Sequence, residues 1–159
     1  MKILGIDPGI GRTGWGVIEV QSSKFKVQSY GCIETGKDMK LEERIREVYE
    51  SVRKIIESEK PDVMAIEELF FNTNAKTALI VGQARGVVLL AAAQAKLPVS
   101  VYTPLQVKIA VTGYGRAEKG QVEKMMMVQL GLKEKPKIDD TADALAIALT
   151  HAYSYKAPR

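Results

Sequence analysis

Residues 2–20 read KILGIDPGIGRTGWGVIEV. The run Ile3-Leu4-Gly5-Ile6 is continuously apolar and ends on Asp7-Pro8-Gly9. It predicts a buried strand, stopped by a turn. A glycine-rich turn is expected through Gly14, with a second strand over 15–20 and a third over 25–35. Connections this short predict antiparallel hairpins.

Beyond the hairpins the period changes. Leu41, Ile45, Val48, Val52, Ile55 and Ile56 recur at helical spacing over 39–60, with charges on the other face. Pro61 follows as a stop signal. Strands are expected at 62–67 and 99–103, with helices at 74–96, 104–111, 121–130 and 140–155. The 74–96 helix is mostly alanine, leucine and valine, so it should be covered on more than one side. The order β-β-β-α-β-α-β-α-α-α predicts an α/β fold: a mixed five-stranded sheet with helices on both faces. One domain over residues 1–159 is expected.

Four carboxylates sit at the ends of these elements. Asp7 and Glu67 end apolar strands, and Asp140 and Asp143 open the last helix on one face. Ligands of α/β sheets bind beyond the carboxyl ends of strands. If the two strands are neighbours, the acids meet there. Clustered acids repel one another unless cations join them. Oxygen ligands and a phosphate substrate suit Mg²⁺. Taken singly, each acid has a plainer role: Asp140 as a helix cap, Asp143 as a first-turn charge, Asp7 as a turn former and Glu67 as a surface residue. Glu68 competes with Glu67, and Asp139 with Asp140. Adjacent strand residues face opposite ways, so only one of Glu67 and Glu68 can enter the site.

Composition narrows the class. The chain has 159 residues, 46% hydrophobic and 26% charged, with a net charge of +4. That is ordinary for a globular domain. No signal segment is expected, and the longest apolar run, around 87–95, reads as too short to span a membrane. Cys32 is the single cysteine, which excludes an intrachain disulfide and reads as a small buried hydrophobe. Between 108 and 137, seven basic residues face three acids: Lys108, Arg116, Lys119, Lys124, Lys133, Lys135 and Lys137 against Glu118, Glu123 and Glu134. A polyanionic partner fits that excess. Arg12, Lys76, Arg85 and Arg116 are candidate phosphate contacts. Phe70 and Phe71, entering a polar loop, could stack on an unpaired base or be buried under the next helix. Gly82 and Gly86 permit close approach of a backbone, from a partner or from the sheet. His151 reads as a helix-end histidine.

Several stretches together resemble the RuvC family of Holliday-junction resolvases. They are Gly5-Ile6-Asp7-Pro8-Gly9, Thr13-Gly14-Trp15-Gly16, Ala65-Ile66-Glu67, Gly82-Gln83-Ala84-Arg85-Gly86, Gln106-Val107-Lys108, Ala117-Glu118-Lys119 and Asp140-Thr141-Ala142-Asp143-Ala144-Leu145-Ala146. The resemblance runs along essentially the whole chain, in order. It implies a ribonuclease H-like nuclease domain and paired, symmetric nicks of four-way DNA junctions that leave 3′-hydroxyl and 5′-phosphate ends. It further implies that Asp7, Glu67, Asp140 and Asp143 are catalytic metal ligands for two Mg²⁺ ions, with Mn²⁺ able to substitute. Lys108 and Lys119 fall on basic residues of DNA binding and catalysis, and Phe70 on an aromatic of the junction centre. It also implies a homodimer through the helix of Gly82 and Gly86, a partnership with the RuvAB branch-migration complex, and a cytoplasmic setting. The longer basic tail of some members is missing after the last helix.

Three other readings remain. An actin-like ATPase shares the Gly-Ile-Asp-Pro-Gly hairpin but needs a second lobe. Another nuclease on this fold would differ in substrate. A DNA-binding module without activity leaves the acids unexplained.

Overall fold

The computed structural model describes residues 1–69 and 74–156. Ten elements follow in order: β1 (Lys2–Asp7), β2 (Arg12–Gln21), β3 (Lys24–Glu34), α1 (Leu41–Glu59), β4 (Val63–Glu67), α2 (Ala75–Gln94), β5 (Val99–Tyr102), α3 (Pro104–Thr112), α4 (Lys119–Leu130) and α5 (Asp139–Lys156). The sheet order is β3-β2-β1-β4-β5. β1–β2 and β2–β3 are antiparallel, and β4 lies parallel to both β1 and β5. This is the expected mixed sheet. Most boundaries shift by one or two residues, α4 beginning at Lys119 rather than 121; the largest shift is at β2, which begins at Arg12, because Arg12, Thr13 and Gly14 pair with Glu34, Ile33 and Cys32 of β3. Glycine there serves the ladder and not only the turn.

Strand alternation divides the core in two. Ile3, Ile18, Val63 and Ala65 face α3, α4 and α5. Leu4, Ile6, Val17, Met64 and Ile66 face α1 and α2. On α1 the periodic residues Val48, Val52 and Ile56 are buried, whereas Leu41, at the first turn, is exposed.

The most buried helix is α5, where Ala144, Leu145, Ala148, Leu149 and Ala152 are fully enclosed. It lies directly on β1 and β2 because those strands lack side chains beneath it. A Cβ on Gly5 would stand 2.0 Å from the Ala144 carbonyl oxygen, one on Gly14 2.0 Å from that of Asp140, and one on Gly16 2.5 Å from the Leu145 side chain.

α2 departs from expectation in two ways. Its buried residues are Ala84, Val88, Ala91 and Ala92, while Leu79 and Leu90 are exposed, so one side is covered and the other is not. At 20 residues it is also long and apolar enough, by length and composition, to cross a membrane. The expected limit at 87–95 was too narrow, because Lys76 and Arg85 are the only charges in the helix.

Gly5→Ala should destabilise the protein by about 3 kcal/mol or more, since the new methyl meets backbone and α5 must lift. Urea unfolding measures it. Ala93→Ser, at an exposed α2 position, should change stability by less than about 0.5 kcal/mol.

Candidate active site

β1 and β4 are neighbours in parallel register, with Ile3 beside Val63 and Ile6 beside Ile66. The register therefore brings Asp7 and Glu67 to adjacent strand ends. Glu67 shares its face with Val63 and Ala65, which point toward α5. Glu68, one residue past the strand end, is exposed. Of the two, Glu67 lines the cleft with Lys119 and Asp143.

α5 supplies the other acids. Its first turn carries Asp139 and Asp140, where the helix N-terminus favours negative charge. Asp139 points away, with 59% of its side chain exposed and an ion pair to Lys135 at 2.9 Å. Lys135 holds its carboxyl below the ordinary range. Asp140 stands near enough to Asp7 and Asp143 to repel both. Thr141, inside the Asp-Thr-Ala-Asp segment, donates from its hydroxyl to the Gly31 carbonyl at 3.0 Å and ties this helix end to β3. At the Asp7 turn, the Thr13 hydroxyl donates to the Gly9 carbonyl at 2.7 Å and accepts from the Gly9 N–H at 3.3 Å. Both threonines lie in quoted motifs, but nothing in one sequence tells a positioning hydroxyl from a solvated one.

The charges are strained as a group. Burial, then Asp143, Asp140 and Glu67, push the Asp7 carboxyl up to about 7, against the pull of Lys119. Burial and Asp143 raise Glu67, opposed by Lys119 and Lys108. Burial also raises Asp143, although Lys119 donates to its Oδ2 at 3.1 Å. Burial alone would lower the Lys119 ammonium, but the hydrogen bond and charge of Asp143 outweigh it and raise it. A cleft of about 250 Å³ runs between Glu67, Lys108, Lys119 and Asp143, with Pro104, Val107, Val122 and Ile147 as an apolar wall.

The donor set suits a hard divalent cation: all oxygen, acidic, mutually repelling and open to a cleft. Among the described residues no three acidic, imidazole or thiol groups form a finished cage. Mg²⁺ does not need one, since it keeps several waters and takes one or two carboxylates plus substrate phosphate.

The remaining expected residues spread widely. Lys108 and Lys119 line the cleft. Lys76 and Arg116 are exposed. Arg12 stands 3.9 Å from Glu34. Arg85 is mostly buried in mid-α2. Phe70 and Phe71 lie outside the described residues. Among the described residues, a Cβ at Gly86 would meet nothing within 4 Å, and one at Gly82 only Leu69 at 3.7 Å, so the reading in which these glycines admit the sheet does not hold. His151 is not a helix-end cation: its Nδ1 shares a hydrogen bond with the Tyr102 hydroxyl at 2.8 Å, and burial lowers its pKa. Cys32 is half-buried rather than enclosed, and burial followed by Asp140 pushes its thiol up to about 11.

Comparison with known proteins agrees with this arrangement. Residues 3–151 match the family described as crossover junction endodeoxyribonuclease RuvC. The protein of that name from Desulforamulus reducens is 55% identical, over 96% of this chain and 93% of its own. The solved Thermus thermophilus RuvC in complex with Holliday junction substrate is 40% identical, with a TM-score of 0.94 over 98% of this chain and 95% of its own. The yeast mitochondrial Holliday junction resolvase Ydc2, 14% identical with a TM-score of 0.70 over 97% of this chain and 80% of its own, shares the fold.

A carboxyl whose pKa is higher folded than unfolded (about 3.9) stabilises the fold while protonated. That contribution is complete at low pH and lost as pH rises through about 7 for Asp7. Metal-free Asp7→Asn protein should therefore melt several degrees above wild type at pH 8, and close to it at about pH 4, near the unfolded value. Added Mg²⁺ should raise the wild-type melting temperature at pH 8 and leave Asp7→Asn unmoved. Calorimetric scans at both pH values check this.

Proposed function

The chain belongs to the RuvC family of crossover junction endodeoxyribonucleases, and from that premise we propose that it resolves four-way DNA junctions by paired symmetric nicks in recombination and repair. It is a metal-dependent nuclease. The observation that carries this reading is the mutual repulsion of Asp7, Glu67, Asp140 and Asp143 beside a cleft lined by Lys108 and Lys119. DNA would be repelled by these acids unless cations intervened.

Asp7, at the centre of the sheet, would hold Mg²⁺ together with Glu67, Asp140 and Asp143, with two ions to each site. Bound there, the ions would supply Lewis acidity for in-line attack of water on the phosphodiester and for departure of the 3′ oxygen. Everything else belongs to the chain. Burial of Asp7 and Glu67 lowers the local dielectric and strengthens each charge contact. Lys119 keeps its proton, held by Asp143, and presents its ammonium in the cleft, where it stabilises charge on the phosphate oxygens. Lys108 steadies the same strand from α3. The apolar wall of Val107, Val122 and Ile147 limits water on that side. The products are 3′-hydroxyl and 5′-phosphate ends.

A two-fold dimer presents two such sites to the two equivalent strands of a junction. The uncovered side of α2, with Leu79, Leu90 and Gly86 open, supports that helix as the interface, together with Gly82. Phe70 stacks at the junction centre. Lys76, Arg85 and Arg116 contact DNA backbone. RuvAB as partner and the cytoplasm as setting complete the proposal, along with a single nuclease domain over 1–159.

Wild-type protein with Mg²⁺ should nick a mobile synthetic junction in symmetric pairs and leave matched linear duplex intact. EDTA and Asp7→Asn should each abolish cutting while Asp7→Asn still binds the junction. Equal cutting of duplex would assign the fold to another nuclease activity.

Leu79→Glu should shift the protein to monomer in sedimentation velocity and reduce paired incision of a cruciform plasmid to single nicks. An unchanged dimer would place the interface elsewhere.

A further inference from the structure

Arg85 sits in the middle of α2, and its Nε is buried with no hydrogen-bond partner among the described residues. No ion pair among those residues includes it. A guanidinium stays charged at any accessible pH and offers five donors in a fixed fork. Leaving the Nε–H desolvated and unmet costs stability. The side chain lines a cavity of about 120 Å³ with Asp7, Pro8, Glu67 and Glu68. That is room for several waters, enough to admit a phosphodiester group.

Glu67 walls this cavity and also the larger cleft of Lys108 and Lys119. The acids are thus flanked by cations from two directions: from α3 and α4 on one side, and from α2 on the other. A strand laid over Asp7 and Glu67 passes from one cavity to the other. We propose that Arg85 binds the backbone phosphate next to the scissile one, on the side away from Lys108 and Lys119, and so sets the register of the incised strand over the acids. The proposal rests on the junction-nuclease reading and deepens it. A phosphate accepts two parallel hydrogen bonds from the planar fork. No ion pair among the described residues joins Arg85 to Asp7 or Glu67, which leaves the fork open to a phosphate.

The test uses full-length wild type, Arg85→Gln and Arg85→Lys on junctions carrying one neutral methylphosphonate, walked along the incised strand on both sides of the cut. Arg85→Gln should slow cleavage of the unmodified junction on the order of tenfold or more. One methylphosphonate beside the cut should slow wild type by a similar factor and slow Arg85→Gln no further. Arg85→Lys should recover only part of the rate and lose it at that same position. Losses that multiply at every position, or Arg85→Gln cutting at the wild-type rate, would overturn the proposal. Melting temperatures taken alongside identify an unfolded Arg85→Gln, in which case the walk on Arg85→Lys decides by the same criterion. Wild type failing to cut the unmodified junction would instead sink the junction reading itself.

Discussion

The close seating of α5 on β1 and β2 governs this molecule. Gly5, Gly14 and Gly16 leave no Cβ beneath the helix, and Ala144 and Ala148 answer them from above. A helix that carried larger residues there would ride higher, and its first turn would no longer reach the end of β1. Asp140 and Asp143 are brought to Asp7 by backbone packing rather than by any attraction between them. The packing has to be strong, because the groups it gathers oppose it.

That opposition is the chemistry of the site. Buried acids that repel one another hold protons or seek cations, and Asp7, the most enclosed of them, is pushed up to about 7. Lys119 offsets part of the charge through Asp143. With 57% of the lysine side chain exposed, this pair adds little to stability on its own. Its value is placement: the same ammonium that calms the acids stands where a phosphate would arrive.

Much of this was legible in the sequence because it is local. The apolar runs ending on Asp7 and Glu67, and the period of α1, follow from side-chain spacing alone. Side-chain spacing left Glu67 and Glu68 open and the family resemblance pointed to Glu67; that Glu67 shares a face with Val63 and Ala65 came with the register. Contacts between distant elements were invisible for the same reason. Neither the Tyr102–His151 hydrogen bond nor the partnerless Nε of Arg85 leaves a mark in one sequence. Leu41 read as core because its spacing was right, yet at the first turn of α1 it is exposed, and burial begins further along the helix at Val48. For α2, composition promised cover on more than one side, and a single chain provides one.

Trp15 is the only tryptophan. It lies in β2 between Gly14 and Gly16, and so projects to the other side of the sheet from α5. There it packs with the α1–α2 core, its ring lying over Gly31. The chain therefore carries one indole fluorophore, which can be excited apart from its six tyrosines and projects from the other face of the sheet to that of the carboxylates. Its emission follows the docking of α1 and the integrity of the sheet rather than the loading of the acids. Folding can be watched optically while the site is titrated by other means, so loss of activity and loss of structure can be told apart in the same cuvette.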